Sequence, residues 1–246
     1  MTLWLSSLPS FASLLVAVAV TNAVALTITF GVRRWYSRRN VTAGPVVVNC
    51  WAVSVGGLSA LLFAFAILTL WNILNDAKSN VADEGAAIRL VARDLAPGQL
   101  PLLRAYVGAS AAEWPQLCGG RPDPSVDVSL VLLERLAKPR VPEYSGDLYR
   151  QLGVVEDLRY RRWSKAGGSA PFELRIALCV VALSLFGVLG IALPERGDTH
   201  AALTVLIATA FGVVFWVITT LAYPYCGSTY KVGPEQITAS LRSYSM

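Results

Sequence analysis

The sequence predicts a mainly α-helical integral membrane protein: four transmembrane helices in two hairpins that flank a helical extramembrane insert. Three observations carry that class. Long apolar stretches are centred near residues 22, 60, 184 and 211, each able to cross a bilayer, which needs ~20 apolar residues as a helix. The 246 residues are 54% hydrophobic and 15% charged, on the membrane side of globular averages. Between the second and third stretches lies a mixed segment large enough to be a module of its own. The layout is a first hairpin at 1–76, an insert at 77–171, a second hairpin at 172–222 and a tail at 223–246.

The first ten residues, MTLWLSSLPS, hold no charge. The apolar run 11–32 is too long for a signal peptide and is followed by arginines, so it reads as a spanning helix. The loop 33–44 holds Arg33, Arg34, Arg38 and Arg39 and no acid. The second stretch, 46–74, carries no charge. Gly56, Ala60 and Ala64 recur one turn apart, a spacing that lets another helix come close in lipid. Its far end turns polar, with Asn72, Asn75 and Asp76 at helical i, i+3, i+4 spacing. That face predicts either an ordinary solvated helix end or the mouth of a pore.

The insert holds 13 Lys/Arg and 11 Asp/Glu over 77–170. This near balance needs no polyanionic partner, and no nucleic-acid-binding signature is present. Helical spacing continues through Val81, Ile88, Val91 and Leu95 until Ala96-Pro97-Gly98. Pro101 suits the first turn of a new helix. It is followed by a helix over 126–136 and another over 144–165 with Leu148, Leu152, Val155 and Leu158 on one face. The third span is 172–193. The fourth, 201–222, carries Thr204, Ala208 and Gly212 every four residues, a second small-residue packing stripe. A short helix is expected from Pro234.

Chemistry is sparse. His200 is the only histidine and is expected in a short loop. There is no Walker A sequence, no His-Glu-x-x-His and no Cys-x-x-Cys. Asp83-Glu84 and Glu156-Asp157 lack calcium-loop spacing and read as solvated helix faces. Arg159, Arg161 and Arg162 read as a charged helix end before a membrane span, or as contacts for lipid headgroups or anions. No enzyme activity, metal or cofactor is expected. The four-arginine loop and the 194–200 loop fall on one side of a four-span chain. The positive-inside rule makes that side cytoplasmic, with the insert and both termini outside.

At this point the chain resembles the bacterial bestrophin-like membrane family, whose function is not established. The resemblance rests on Leu5, Leu8 and Pro9 before the first span, the arginine-rich loop and the Gly/Ala-rich second span leading into Asp76-Ala77. It continues with Asp83-Glu84, with Tyr106 before Glu113-Trp114-Pro115, and with Pro224-Tyr225-Cys226-Gly227, similar to the family's Pro-Phe-x-Gly. Cys226 is a departure, since Ser or Arg is more usual there. The resemblance implies a multi-pass protein of the bacterial inner membrane, akin to oligomeric anion channels. The expected function is an oligomeric pore. The alternative is a non-conducting scaffold whose helical module at 77–171 binds a protein partner. In either case the bilayer and further copies of the chain are the expected partners. For Glu113-Trp114-Pro115 the residues predict a helix stop, with Trp114 covering apolar neighbours and its N–H still wet; the alternative is Glu113 as part of a binding site.

The four cysteines divide by position. Cys50 and Cys179 fall within spans, where cysteine packs as a small hydrophobe. Cys118 and Cys226 both fall outside, in an oxidising compartment on this topology. A Cys118–Cys226 disulfide is therefore expected.

Overall fold

The computed structural model describes residues 10–39, 44–117, 126–127, 131, 146–166, 172–192, 197–226 and 231–242. Eight α-helices and one short 3₁₀ turn are described over these residues: α1 (Ser10–Arg39), α2 (Pro45–Asp94), α3 (Leu100–Ala112), α4 (Trp114–Leu117), α5 (Gly146–Ala166), α6 (Phe172–Ala192), α7 (Gly197–Leu221) and α8 (Glu235–Ala239), with the 3₁₀ turn at Pro97–Gln99. No strand occurs among the described residues. Among the described residues four helices are long and apolar enough to cross a membrane: α1, α2, α6 and α7. The chain divides into two compact units, Met1–Trp71 with Ala170–Ala222, and Asn72–Ser169 with Tyr223–Met246.

In the first unit α1 packs chiefly against α7 and α6. Both partners come from the far end of the sequence. The core is Ala25, Ala182, Phe186 and Ala208, with Ile28, Leu189, Phe211 and Phe215 around it. Small residues set the spacing. A Cβ on Gly212 would stand 2.8 Å from the Cα of Val18, and one on Gly190 would stand 2.8 Å from the carbonyl oxygen of Thr29. Polar side chains tie the same helices. Thr29 donates to the Phe186 carbonyl (3.3 Å), Asn22 to Thr209 (3.1 Å) and the Trp216 indole to Ser13 (2.9 Å). Such bonds hold helices together where lipid offers no hydrophobic drive.

The spanning part of α2 is different. Phe63 meets Phe211 and Phe215 edge-on, with ring centres 4.9 and 5.5 Å apart, and Ala66 and Leu70 are buried. Ser59 and Val48 are buried as well, while much of the remaining surface is open, including Trp51, Leu58, Leu61, Phe65 and Leu68. Cys50 and Cys179, expected to pack as small apolar groups, are both exposed.

At 50 residues α2 is about 75 Å long at 1.5 Å per residue, far more than the ~30 Å hydrocarbon core. No Gly or Pro interrupts it after Gly57 until Gly85, so its second half enters the second unit as one helix. There Ala77, Asn80, Val81, Glu84, Ile88 and Val91 form a buried face at helical spacing. Gly85 lies on the same side. A Cβ there would stand 2.8 Å from the Gln236 carbonyl oxygen on α8. Ile88, Leu103, Leu117 and Leu152 are almost fully buried in this unit, each contributing about 1.5–3 kcal/mol by removal from water.

His200, expected in a loop, lies in the first turn of α7 and is 2% exposed. The helix starts earlier than apolar content alone indicates because the polar residues 197–200 supply its first turn. Of the helix expected over 126–136, Val126, Asp127 and Val131 are helical and the remainder lies outside the described residues. Cys118 and Gly227 also lie outside them.

Candidate functional site

Asn72, Asn75 and Asp76 are all exposed on α2. Asp76 stands 3.9 Å from Lys165 on α5, with Asp76 exposed and Lys165 half-buried, a partly solvated pair worth little. One turn on, the helix turns a polar group inward: Asn80 is buried and donates to the Leu158 carbonyl at 2.9 Å. Gly56 has nothing within 4 Å of a would-be Cβ, and Ala60 and Ala64 are exposed. Ala208 and Gly212, by contrast, are enclosed within the subunit.

The densest polar chemistry lies in the second unit. Helical spacing puts Tyr106, Ser110 and Glu113 on one face at the end of α3. The same spacing puts Leu152, Val155, Arg159, Arg162 and Ala166 on one face of α5. All of these are buried. Arg162 sits at the centre, donating to Glu84 at 2.5 Å, to Ser110 at 2.9 Å and to Glu113 at 3.3 Å. Arg159 grips both oxygens of Glu113, at 2.7 and 3.3 Å, and also bonds Asp127. The Arg162 guanidinium lies 4.6 Å from the centre of the Trp114 ring. Tyr106 reaches Glu84 at 3.5 Å.

Burial alone would lower the Arg159 pKa, but Glu113 and Asp127 outweigh it and hold the guanidinium above its ordinary value. Burial, reinforced by Glu84, pushes the Tyr106 hydroxyl well above the usual tyrosine range. Burial also pushes Tyr225 up to about 12, against an opposing pull from Arg162. On one side a cavity of about 420 Å³, lined by Asp127, Glu156, Arg159, Tyr160, Trp163 and Ser164, borders the network. Arg159 is therefore its wet edge and Arg162 its dry centre.

Three expectations are corrected. Glu84 is completely buried, while Asp83, Glu156 and Asp157 are exposed as expected for solvated helix faces. Arg159 and Arg162 are interior residues, and of that trio only Arg161 is a solvated end, paired with Asp157 at 2.8 Å. The Trp114 N–H is dry: the ring is 2% exposed and its nitrogen donates to the Val232 carbonyl at 2.7 Å. The cause is the same in each case. A partner distant in sequence takes up the polar group that local reading leaves to water.

Trp114 also meets Tyr225 edge-on at 6.1 Å, and the Val232 amide donates to the Pro224 carbonyl at 2.8 Å. The Glu113-Trp114 and Pro224-Tyr225 segments thus share one site, while Pro115 stays exposed at the surface. Sequence reasoning missed Glu84, Ser110, Arg159, Arg162 and Val232. For the two arginines a signal existed, since positions 159 and 162 continue the period of Leu152 and Val155. Among the described residues no group of three or more His, Cys, Asp or Glu converges to hold a metal.

A family model described as the Bestrophin-like domain matches residues 19–237. A search of curated proteins finds no match. Solved structures of a bacterial bestrophin homologue from Klebsiella pneumoniae are similar in fold. One aligns with a TM-score of 0.68 at 13% identity, covering 95% of this chain and 99% of that one. Another aligns at 0.66 and 14%, covering 92% and 95%. A third aligns at 0.64 and 14%, covering 93% and 96%.

Proposed function

The chain belongs to the bestrophin-like family, and from that premise we propose that it forms an oligomeric membrane pore with the spanning half of α2 facing the axis. One observation carries the reading. This helix leaves much of its surface without partners inside the subunit, and that surface mixes small and polar groups with large apolar ones. Gly57, Ala60, Ala64 and Asn72 are exposed on it, as are Asn49 and Ser54. Lipid accommodates the large apolar residues. Close helix approach between copies uses Gly56, Ala60 and Ala64, and a polar lining uses the asparagines and serine.

Asn72, Asn75 and Asp76 then form one mouth. A ring of Asp76 side chains raises the local cation concentration, in opposition to the anion preference the family name suggests. Lys165 at 3.9 Å offsets part of that charge. No chemical step is assigned to the buried network, whose carboxylates are engaged by arginines. Its role here is to fix the second half of α2 against α3 and α5. The orientation belongs to the same proposal: inner membrane, arginine loop cytoplasmic, second unit and both termini outside.

Purified protein in liposomes tests the pore. Currents with reversal potentials that shift on ion substitution are expected. Asp76→Asn should change them at 0.01 M salt and leave them nearly unchanged at 1 M, where the Debye length falls from ~30 to ~3 Å. An assembled oligomer that stays electrically silent would replace the pore with the scaffold reading. Impermeant maleimide tests orientation on intact cells: Ser164→Cys should label, and Ser37→Cys only after rupture.

A further inference from the structure

At the end of α1, Phe30, Arg33, Arg34, Ser37 and Arg38 line a groove of about 470 Å³. Their spacing (i, i+3, i+4, i+7, i+8) makes them one stripe of the helix. We propose that this stripe binds one anionic phospholipid, its phosphodiester against the arginines and the first acyl carbons against Phe30.

The argument is one of depth and charge. Phe30 is 47% exposed and belongs to the apolar span. Arg34, Ser37 and Arg38 are exposed beyond it, with Arg33 half-buried. From residue 30 to 38 the helix rises about 12 Å, which reaches from the hydrocarbon edge through the headgroup layer. A ligand that fits has an anionic head and an apolar root. Arginine's planar fork matches phosphate oxygens in pairs, and Ser37 adds a hydroxyl. The segment 33–44 contains no acid to compete within it. Arg39 turns away and stacks on Trp35, 4.9 Å from the ring centre, so the cluster is sorted by face. Trp35 is 51% exposed, in keeping with a residue at headgroup level. A free phosphate would satisfy the arginines and leave Phe30 unused, which favours the lipid. The inference stands apart from conduction and from which side of the membrane the groove faces.

The test uses full-length protein, delipidated in neutral detergent and exposed to phosphatidylglycerol, phosphatidylcholine or inorganic phosphate, with retention read by native mass spectrometry. The expected result is about tenfold preference for phosphatidylglycerol over phosphatidylcholine. The Arg34→Gln/Arg38→Gln variant should lose that preference while melting like wild type in phosphatidylcholine. Equal retention of the two lipids by wild type, or an undiminished preference in the variant, would overturn the proposal. Displacement of the lipid by millimolar inorganic phosphate would also overturn it, since the site would then read the oxyanion alone. If the double variant fails to fold, Ser37→Cys carries the test. On replacing phosphatidylcholine nanodiscs by phosphatidylglycerol ones, maleimide should slow at least severalfold more at Ser37→Cys than at Arg39→Cys, which is exposed near the same depth on another face and feels the same surface potential, and equal slowing would refute the site.

Discussion

Replacing Arg162 with methionine tests whether the buried network holds the second unit together. Arg162, Glu84 and Glu113 are each fully buried at the side chain. Arg162→Met keeps most of the volume but removes the cation beside the Trp114 ring, strands Glu84 without its cation and leaves Glu113 with Arg159 alone. Breaking a buried pair from one side costs about 3–5 kcal/mol, because the remaining charge has no solvent to turn to. At roughly 2–4 °C per kcal/mol for a chain of this size, the melting temperature should fall by about 6–20 °C. The assay is a thermal melt of full-length protein in detergent, followed by tryptophan fluorescence, to which Trp114 and Trp163 contribute from within the unit. The double variant Glu84→Met/Arg162→Met separates charge from packing. Replacing a buried pair by apolar groups of similar size is often near neutral, so at least half of the lost stability should return. A single variant melting within about 2 °C of wild type would refute the reasoning, as would a double variant no better than the single.

The membrane class was legible because twenty apolar residues in a row admit few other readings. The buried network was not legible from residue type. Glu84 and Arg162 are 78 positions apart, and Arg159 and Glu113 are 46 apart. No local pattern links them. Charged residues default to the solvated face in a sequence reading, and only periodicity argues otherwise. On α5 the apolar stripe at Leu152 and Val155 runs straight into Arg159 and Arg162, so period and residue type point opposite ways there. Trp114 shows the converse. Its motif was visible, but the acceptor for its N–H is a backbone carbonyl at Val232, a group every residue carries and no sequence marks. The partners of α1 were hidden for a third reason. Four apolar helices have similar faces, and nothing in chain order marks α6 and α7 as partners of α1, which Gly190 and Gly212 admit at close range.

Three further outcomes are expected. Alkaline titration should destabilise the fold. Tyr225 has its folded pKa raised from 10 to about 12, so its contribution is complete below pH 10 and lost as pH rises through 12. That amounts to about 3 kcal/mol. Tyr225→Phe should flatten the loss, and an unchanged pH profile would remove Tyr225 as its source. Non-reducing mass mapping should find Cys118 and Cys226 in one linked peptide, a closure of more than 100 residues worth roughly 4–5 kcal/mol. Two separately alkylated peptides would exclude it and weaken the outside placement of both residues. The last outcome separates folding from assembly with two glycines. A side chain at Gly212 must displace the backbone of Val18, since its Cβ alone would lie 2.8 Å from that Cα. Gly212→Leu should therefore part α1 from α7 and lower the melting temperature of the subunit itself. Apart from its own stretch of helix, Gly56 has nothing within 4 Å of a would-be Cβ, so Gly56→Leu should leave the subunit fold intact. If α2 meets another copy through Gly56, Ala60 and Ala64, the same change forces the helices apart. Light scattering in detergent should then show a smaller particle with near-normal helix content. A Gly56→Leu protein of wild-type mass would place this face against lipid and withdraw α2 from the axis.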